Sequence, residues 1–165
     1  MHAELFCAVV RHKELGHLNG YVGVTRGHPW FEMPYLAIEA RIHIHGGITF
    51  SGYFSALGLP QESQFPLDEI WWFGFDTAHY PDFQPGIYVL QCMINPRRVE
   101  STWEAECVRL RATYRDFSYV RQEAVIMAEQ IASITTETDR KNKSATFVSD
   151  RIAEHGYGPH QVKER

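Results

Sequence analysis

The chain predicts an α+β fold: an antiparallel or mixed β-sheet packed against one long C-terminal amphipathic helix, in a single domain. Three stretches carry the prediction. Residues 41–52 (RIHIHGGITFSG) alternate, with Ile42, Ile44, Gly46, Ile48 and Phe50 on one side and Arg41, His43, His45, Gly47, Thr49 and Ser51 on the other. Period-two alternation is the pattern of a strand with one buried face. Residues 69–76 (EIWWFGFD) are apolar on both faces, which suits a central strand covered on two sides. Phe117, Val120, Ala124, Met127, Ile131 and Ile134 are spaced 3, 4, 3, 4, 3, the periodicity of a helix of roughly five turns.

Taken in order, residues 4–11 (ELFCAVVR) read as a first strand. Residues 12–19 are polar and end in Asn19-Gly20, a turn signal. Residues 20–24 form a short second strand, and Thr25 to Phe31 a loop held by Gly27 and Pro29. The alternating segment over 36–51 is either one long strand bulged at its glycines or a hairpin with a three-residue loop, His45-Gly46-Gly47. A two-residue Gly-Gly hairpin would pair Ile44 with Thr49 and mix the faces, so it is rejected. Residues 53–67 are loop, 80–86 (YPDFQPG) are a turn, and 87–95 (IYVLQCMIN) look like another strand closed by Pro96. Residues 102–112 stay open: Ser101-Thr102-Trp103-Glu104 fits a capping box, while Trp103, Ala105 and Cys107 alternate with Glu104 and Glu106. The domain is expected over 1–135, with 136–165 a polar, partly ordered extension.

Composition narrows the function classes. Hydrophobic residues make up 44% of 165, enough for one real core. A net charge of −4 argues against a duplex nucleic-acid partner, although a local Arg and His cluster can still hold a small anion. Cys7, Cys92 and Cys107 lack CxxC spacing and read as thiols of a reducing compartment. No apolar run is long enough to span a bilayer and the N-terminus has no signal-peptide pattern. A soluble intracellular protein with no membrane partner is expected. Walker, GxGxxG, HExxH and GxSxG motifs are absent, and no cofactor is expected.

The residues that can carry chemistry are dispersed. His43 and His45 share a strand face, which suits acid–base work or metal ligation; the plain alternative is a solvated polar face. Asp76 lies three residues before His79 and can orient its imidazole, or simply cap the turn after the strand. His28 and Trp30 sit in a loop, where ligand contacts collect, yet Trp30 can equally anchor that loop to the core. Thr49 and Ser51 offer hydroxyls to a phosphate oxygen and Arg41 its charge. Trp71 and Trp72 point to opposite faces, so Trp72 can stack on a base or fill the core.

Four blocks share an order over residues 20–135: Gly27-His28-Pro29-Trp30; His45-Gly46-Gly47-Ile48-Thr49-Phe50-Ser51-Gly52; Trp71-Trp72-Phe73-Gly74-Phe75-Asp76-Thr77-Ala78-His79; and Tyr114-Arg115-Asp116-Phe117-Ser118-Tyr119-Val120. They resemble a largely uncharacterised family of small phage and prophage proteins. Thr77 stands where that pattern has a cysteine, and residues 87–112 are longer than its usual connection. The resemblance implies a setting, the cytoplasm of an infected bacterium, where small phage proteins act as anti-defence inhibitors that cleave or sequester cyclic nucleotide immune signals. The expected partner is a small nucleotide-like ligand. Inhibitors of this kind are often homo-oligomers.

Two readings follow. The first is a phosphodiesterase, a hydrolase with His45 and His79 as general acid and base oriented by Asp76, and with Thr49, Ser51 and Arg41 on phosphate and Trp30 or Trp72 on a base. It is expected to work without metal, with a His28/His45/Asp76/His79 metal site kept as a variant. The second is a nucleotide-binding sponge that performs no chemistry. A virion or host-protein interaction module is the bland third.

Overall fold

A computed structural model describes residues 5–54, 69–95 and 102–134. Strands β1 (Leu5–Arg11), β2 (Leu18–Thr25), β3 (Phe50–Gly52) and β4 (Ile70–Asp76) form one antiparallel sheet in the order β1-β2-β4-β3. Helices α1 (Pro85–Ile94), α2 (Trp103–Leu110) and α3 (residues 117–134) follow. The fold class is α+β as expected, and the sheet is antiparallel. Two compact units divide the chain, Met1–Ile131 and Ala132–Arg165; the predicted extension over 136–165 lies outside the described residues.

The sheet forms where the sequence is apolar on both faces. In β4, Trp72, Phe73 and Phe75 are buried, and so are Val22 and Val24 in β2, the other central strand. Gly74 stands opposite Tyr21, and a Cβ there would run into the Tyr21 ring, so the aromatic lies flat across the strand. Tyr21, Phe54, Ile70 and Trp72 make the core of one face, with Phe50 against them. The other face is covered by α3. Cys7 pairs with Val22 and donates its thiol to the Ala124 carbonyl at 3.9 Å. Val120, Ala124, Met127 and Ile131 are all buried, so the 3,4 spacing marks the packed side. Phe117, also on that stripe, is 60% exposed at the first helical position, where the helix has not yet reached the sheet.

Several expectations are corrected. The turn between the first two strands is not Asn19-Gly20, which lies within β2; it spans residues 12–17, where Gly16 (φ +73°) donates to the His12 carbonyl. Residues 87–95 are not a strand but most of α1, which starts at Pro85, whose fixed φ suits a first turn. The open segment 102–112 resolves as helix α2, with Thr102 accepting the cap hydrogen bond from Ala105 N.

The largest correction concerns residues 41–52. They are neither a long strand nor a hairpin. A 3-10 turn covers Glu39–Arg41, Gly46 and Gly47 turn the chain at φ +66° and +82°, and only Phe50–Gly52 pairs with β4. The alternation still records burial, because Ile42 and Ile48 are in the core. The backbone between them bonds to side chains of α3 instead of a neighbouring strand. His43 N donates to Gln130 Oε1 at 2.7 Å, His43 O accepts from Gln130 Nε2 at 2.9 Å, and His45 N donates to Glu123 Oε2 at 2.7 Å. Two α3 side chains therefore satisfy groups that a ladder would otherwise have to satisfy.

Candidate functional site

The end of β4 sets the first half of the site. Thr77 is buried and donates Oγ1 to the Leu18 carbonyl, which ties the strand exit to β2. Asp76 then points off the sheet. Its Oδ1 accepts from Ala78 N at 3.0 Å and its Oδ2 from Thr49 Oγ1 at 2.9 Å. Three residues on, His79 Nδ1 stands 3.6 Å from Asp76 Oδ1, beyond hydrogen-bond length, and has no hydrogen-bond partner among the described residues.

The chain next passes Asp82, which bridges Thr113 through its backbone. Its carboxylate is 1% exposed and fully engaged: Arg115 Nε donates to Oδ1 at 2.8 Å, and His45 Nε2 meets Oδ2 at 2.6 Å. A buried carboxylate needs both such partners to offset lost hydration. His45 arrives from the Gly46-Gly47 turn. With Nε2–H given to Asp82, its Nδ1 accepts from Tyr119 O–H at 3.1 Å. The Arg115 guanidinium lies 4.7 Å over the Tyr119 ring. Burial first, and then the Glu123 carboxylate, push the Tyr119 phenol above its ordinary range, so it keeps its proton at neutral pH.

The two imidazoles meet edge to face with centroids 5.9 Å apart. Gly46 makes this approach, since a Cβ at that position would collide with the His79 ring. His45 is 14% exposed and His79 40%, so His79 is the imidazole that faces solvent. Comparison with protein-family models, curated proteins and solved structures gives no match.

Of the residues singled out in the sequence, His45, Asp76, His79 and Thr49 come together. The others are placed elsewhere. His28 is buried, with Nδ1 accepting from Trp30 N, and Trp30 packs edge-on against Phe73. Trp72 belongs to the core beside Phe54. Ser51 Oγ accepts from Tyr35 N, while Arg41 and His43 have exposed side chains. Sequence reasoning missed Asp82, Arg115, Tyr119 and Glu123. Asp82 lies in the segment read as a turn, Arg115 and Tyr119 lie in the fourth block of the resemblance with no role assigned, and Glu123 carried no signal of its own.

The cluster has two chemical capacities. His79 can exchange a proton with a bound molecule, beside an Arg115–Asp82–His45–Tyr119 row that holds the Tyr119 hydroxyl in place. Alternatively, ligand atoms of His45, His79 and Asp82 lie within 4.8 Å of one another, so the three can close on a divalent cation once His45 Nε2 releases Asp82. Among the described residues the metal variant is thus the trio His45, His79 and Asp82 in place of the expected quartet His28/His45/Asp76/His79, with Asp82 in and His28 and Asp76 out.

Proposed function

We propose that the chain is a small hydrolase that cleaves a phosphodiester, by acid–base chemistry centred on His79 and His45. The observation that carries the reading is the pairing of a partly exposed imidazole, His79, whose Nδ1 has no hydrogen-bond partner among the described residues, with a second one locked in a buried row. In this scheme His79 takes the proton of a water that attacks phosphorus, and Asp76 beside it stabilises the imidazolium. The P–O bond to the leaving alkoxide breaks. Tyr119 O–H gives that oxygen its proton, and the phenolate left behind takes back, through solvent, the proton that His79 removed from the water, with Asp82 holding His45 in register to accept from Tyr119 again. The choice of a cyclic nucleotide of host immune signalling as the diester rests on the phage-family resemblance of residues 20–135.

A second reading, sequestration without cleavage, draws on the same row: both ring nitrogens of His45 already have partners. One experiment separates the two. The protein is incubated with cyclic dinucleotides, heated, and the released ligand analysed by mass spectrometry. Fragments support cleavage and intact nucleotide supports sequestration. His79→Ala is expected to abolish turnover while the Tm moves by less than about 4 °C, since an exposed ring contributes little to stability. Full activity in that variant would sink the scheme. Turnover that disappears with a chelator and returns with a divalent ion would move the chemistry to the His45/His79/Asp82 trio.

A further inference from the structure

A cavity of about 280 Å³ opens beside Asp76 and Thr49. The sheet builds its floor. Antiparallel pairing sets Asn19 opposite Asp76, and both Tyr21 and Phe50 opposite Gly74, so two polar and two aromatic side chains share one face of the sheet. His12 and His17 line it too, their rings stacked at 4.8 Å and 24°.

Two of its polar atoms are unmet. His17 is 3% exposed, and its Nδ1 is buried with no hydrogen-bond partner among the described residues; the same holds for Asn19 Oδ1. Buried polar atoms are rarely left this way without a ligand or water to meet them. Asn19 Nδ2 is already given to Tyr21 OH at 3.3 Å, so Asn19 presents its acceptor. Asp76, accepting from Thr49 and Ala78, keeps spare lone pairs on both oxygens. Burial, and His12 beside it, push His17 below its ordinary range, so it enters as a neutral ring. The cavity is therefore rich in acceptors, with flat aromatic neighbours. Its volume falls just under the roughly 300–1,000 Å³ of drug-sized sites, which suits one heterocycle rather than a whole dinucleotide.

We propose that this cavity is a nucleobase site that selects an edge with adjacent amino and imino N–H donors, of which guanine is the type, read by Asp76 and Asn19. The proposal rests on the phosphodiester reading, since Asp76 joins the base site to His79. A base held here would leave its phosphate beside the imidazoles.

Isothermal titration of the full chain with GMP, IMP and CMP tests it. GMP is expected to bind, and IMP, which lacks the 2-amino donor, at least about tenfold more weakly, the scale of one lost hydrogen bond to a charged group. Asn19→Leu is expected to cost GMP a similar factor. Equal binding of the three nucleotides, or no binding of any, overturns the base site; the comparison of nucleotides on the unmodified protein needs no variant to fold. The hydrolase reading fails on a different measurement, if bis(4-nitrophenyl) phosphate, which has no base, is left uncut.

Discussion

Gly46 shows how much of the site hangs on single residues. Its φ of +66° is unfavourable for any residue with a side chain, and its missing Cβ is the space into which His79 fits. Gly46→Ala is expected to destabilise by more than about 1 kcal/mol, read from the urea midpoint at unchanged slope, and to cut turnover by displacing the ring. His17 predicts a pH effect. Its folded pKa is depressed, so below about pH 6.5 the unfolded chain takes up a proton that the folded chain refuses. Stability contributed by neutral His17 is thus present above that pH and is lost as pH falls toward the folded value. Urea midpoints at pH 7.5 and 5.5 should separate further in the parent chain than in His17→Gln; parallel losses would refute the assignment. At this scale the sequence was half legible. His45, Asp76 and His79 are types that do chemistry and were visible as such. Asp82 was not, because burial of a carboxylate comes from Thr113 and Arg115, some thirty residues away.

Among the elements, α3 and α1 make a contrast. Met127 of α3 is fully buried, and Met127→Ala is expected to cost about 2–5 kcal/mol through lost burial and the cavity left behind. Met93 of α1 is 75% exposed, and Met93→Glu should fall within about 0.5 kcal/mol of the parent. Denaturant unfolding of the two variants side by side checks both. The same elements show what pattern reading can and cannot see. The 3,4 spacing of α3 is a signal of facing the sheet, and it held from Val120 to Ile131. Residues 87–95 carry Ile87 and Val89, strand formers by propensity, yet Pro85 starts a helix that runs to Ile94. Across residues 42–48 only the two ends, Ile42 and Ile48, are buried and Gly46 is exposed, so period two alone did not distinguish a strand from a turn clamped by α3.

Across the whole molecule, β1 to β4 and the buried stripe of α3 all fall within Met1–Ile131. A chain ending at residue 134 is accordingly expected to keep its far-ultraviolet circular dichroism per residue for the sheet and helices, and to melt within about 4 °C of the full chain. A larger drop would show that the remainder contributes to the core. No helix among the described residues is long and apolar enough to cross a membrane. The α+β class was legible because doubly apolar β4 and striped α3 each need a partner, and each is the partner the other lacks. The order β1-β2-β4-β3 was not, since edge strand β3 is three residues long and carries almost no pattern.

The segment that bears His45 is fastened by Gln130 and Glu123, not woven into the sheet. Such a clasp can come undone while every strand stays zipped. Amide protons of residues 43–47 should therefore trade with deuterium at their own pace, ahead of those in β2 and β4. The protein would own a hinged imidazole on a rigid floor, able to swing aside to admit or release whatever lies against His79.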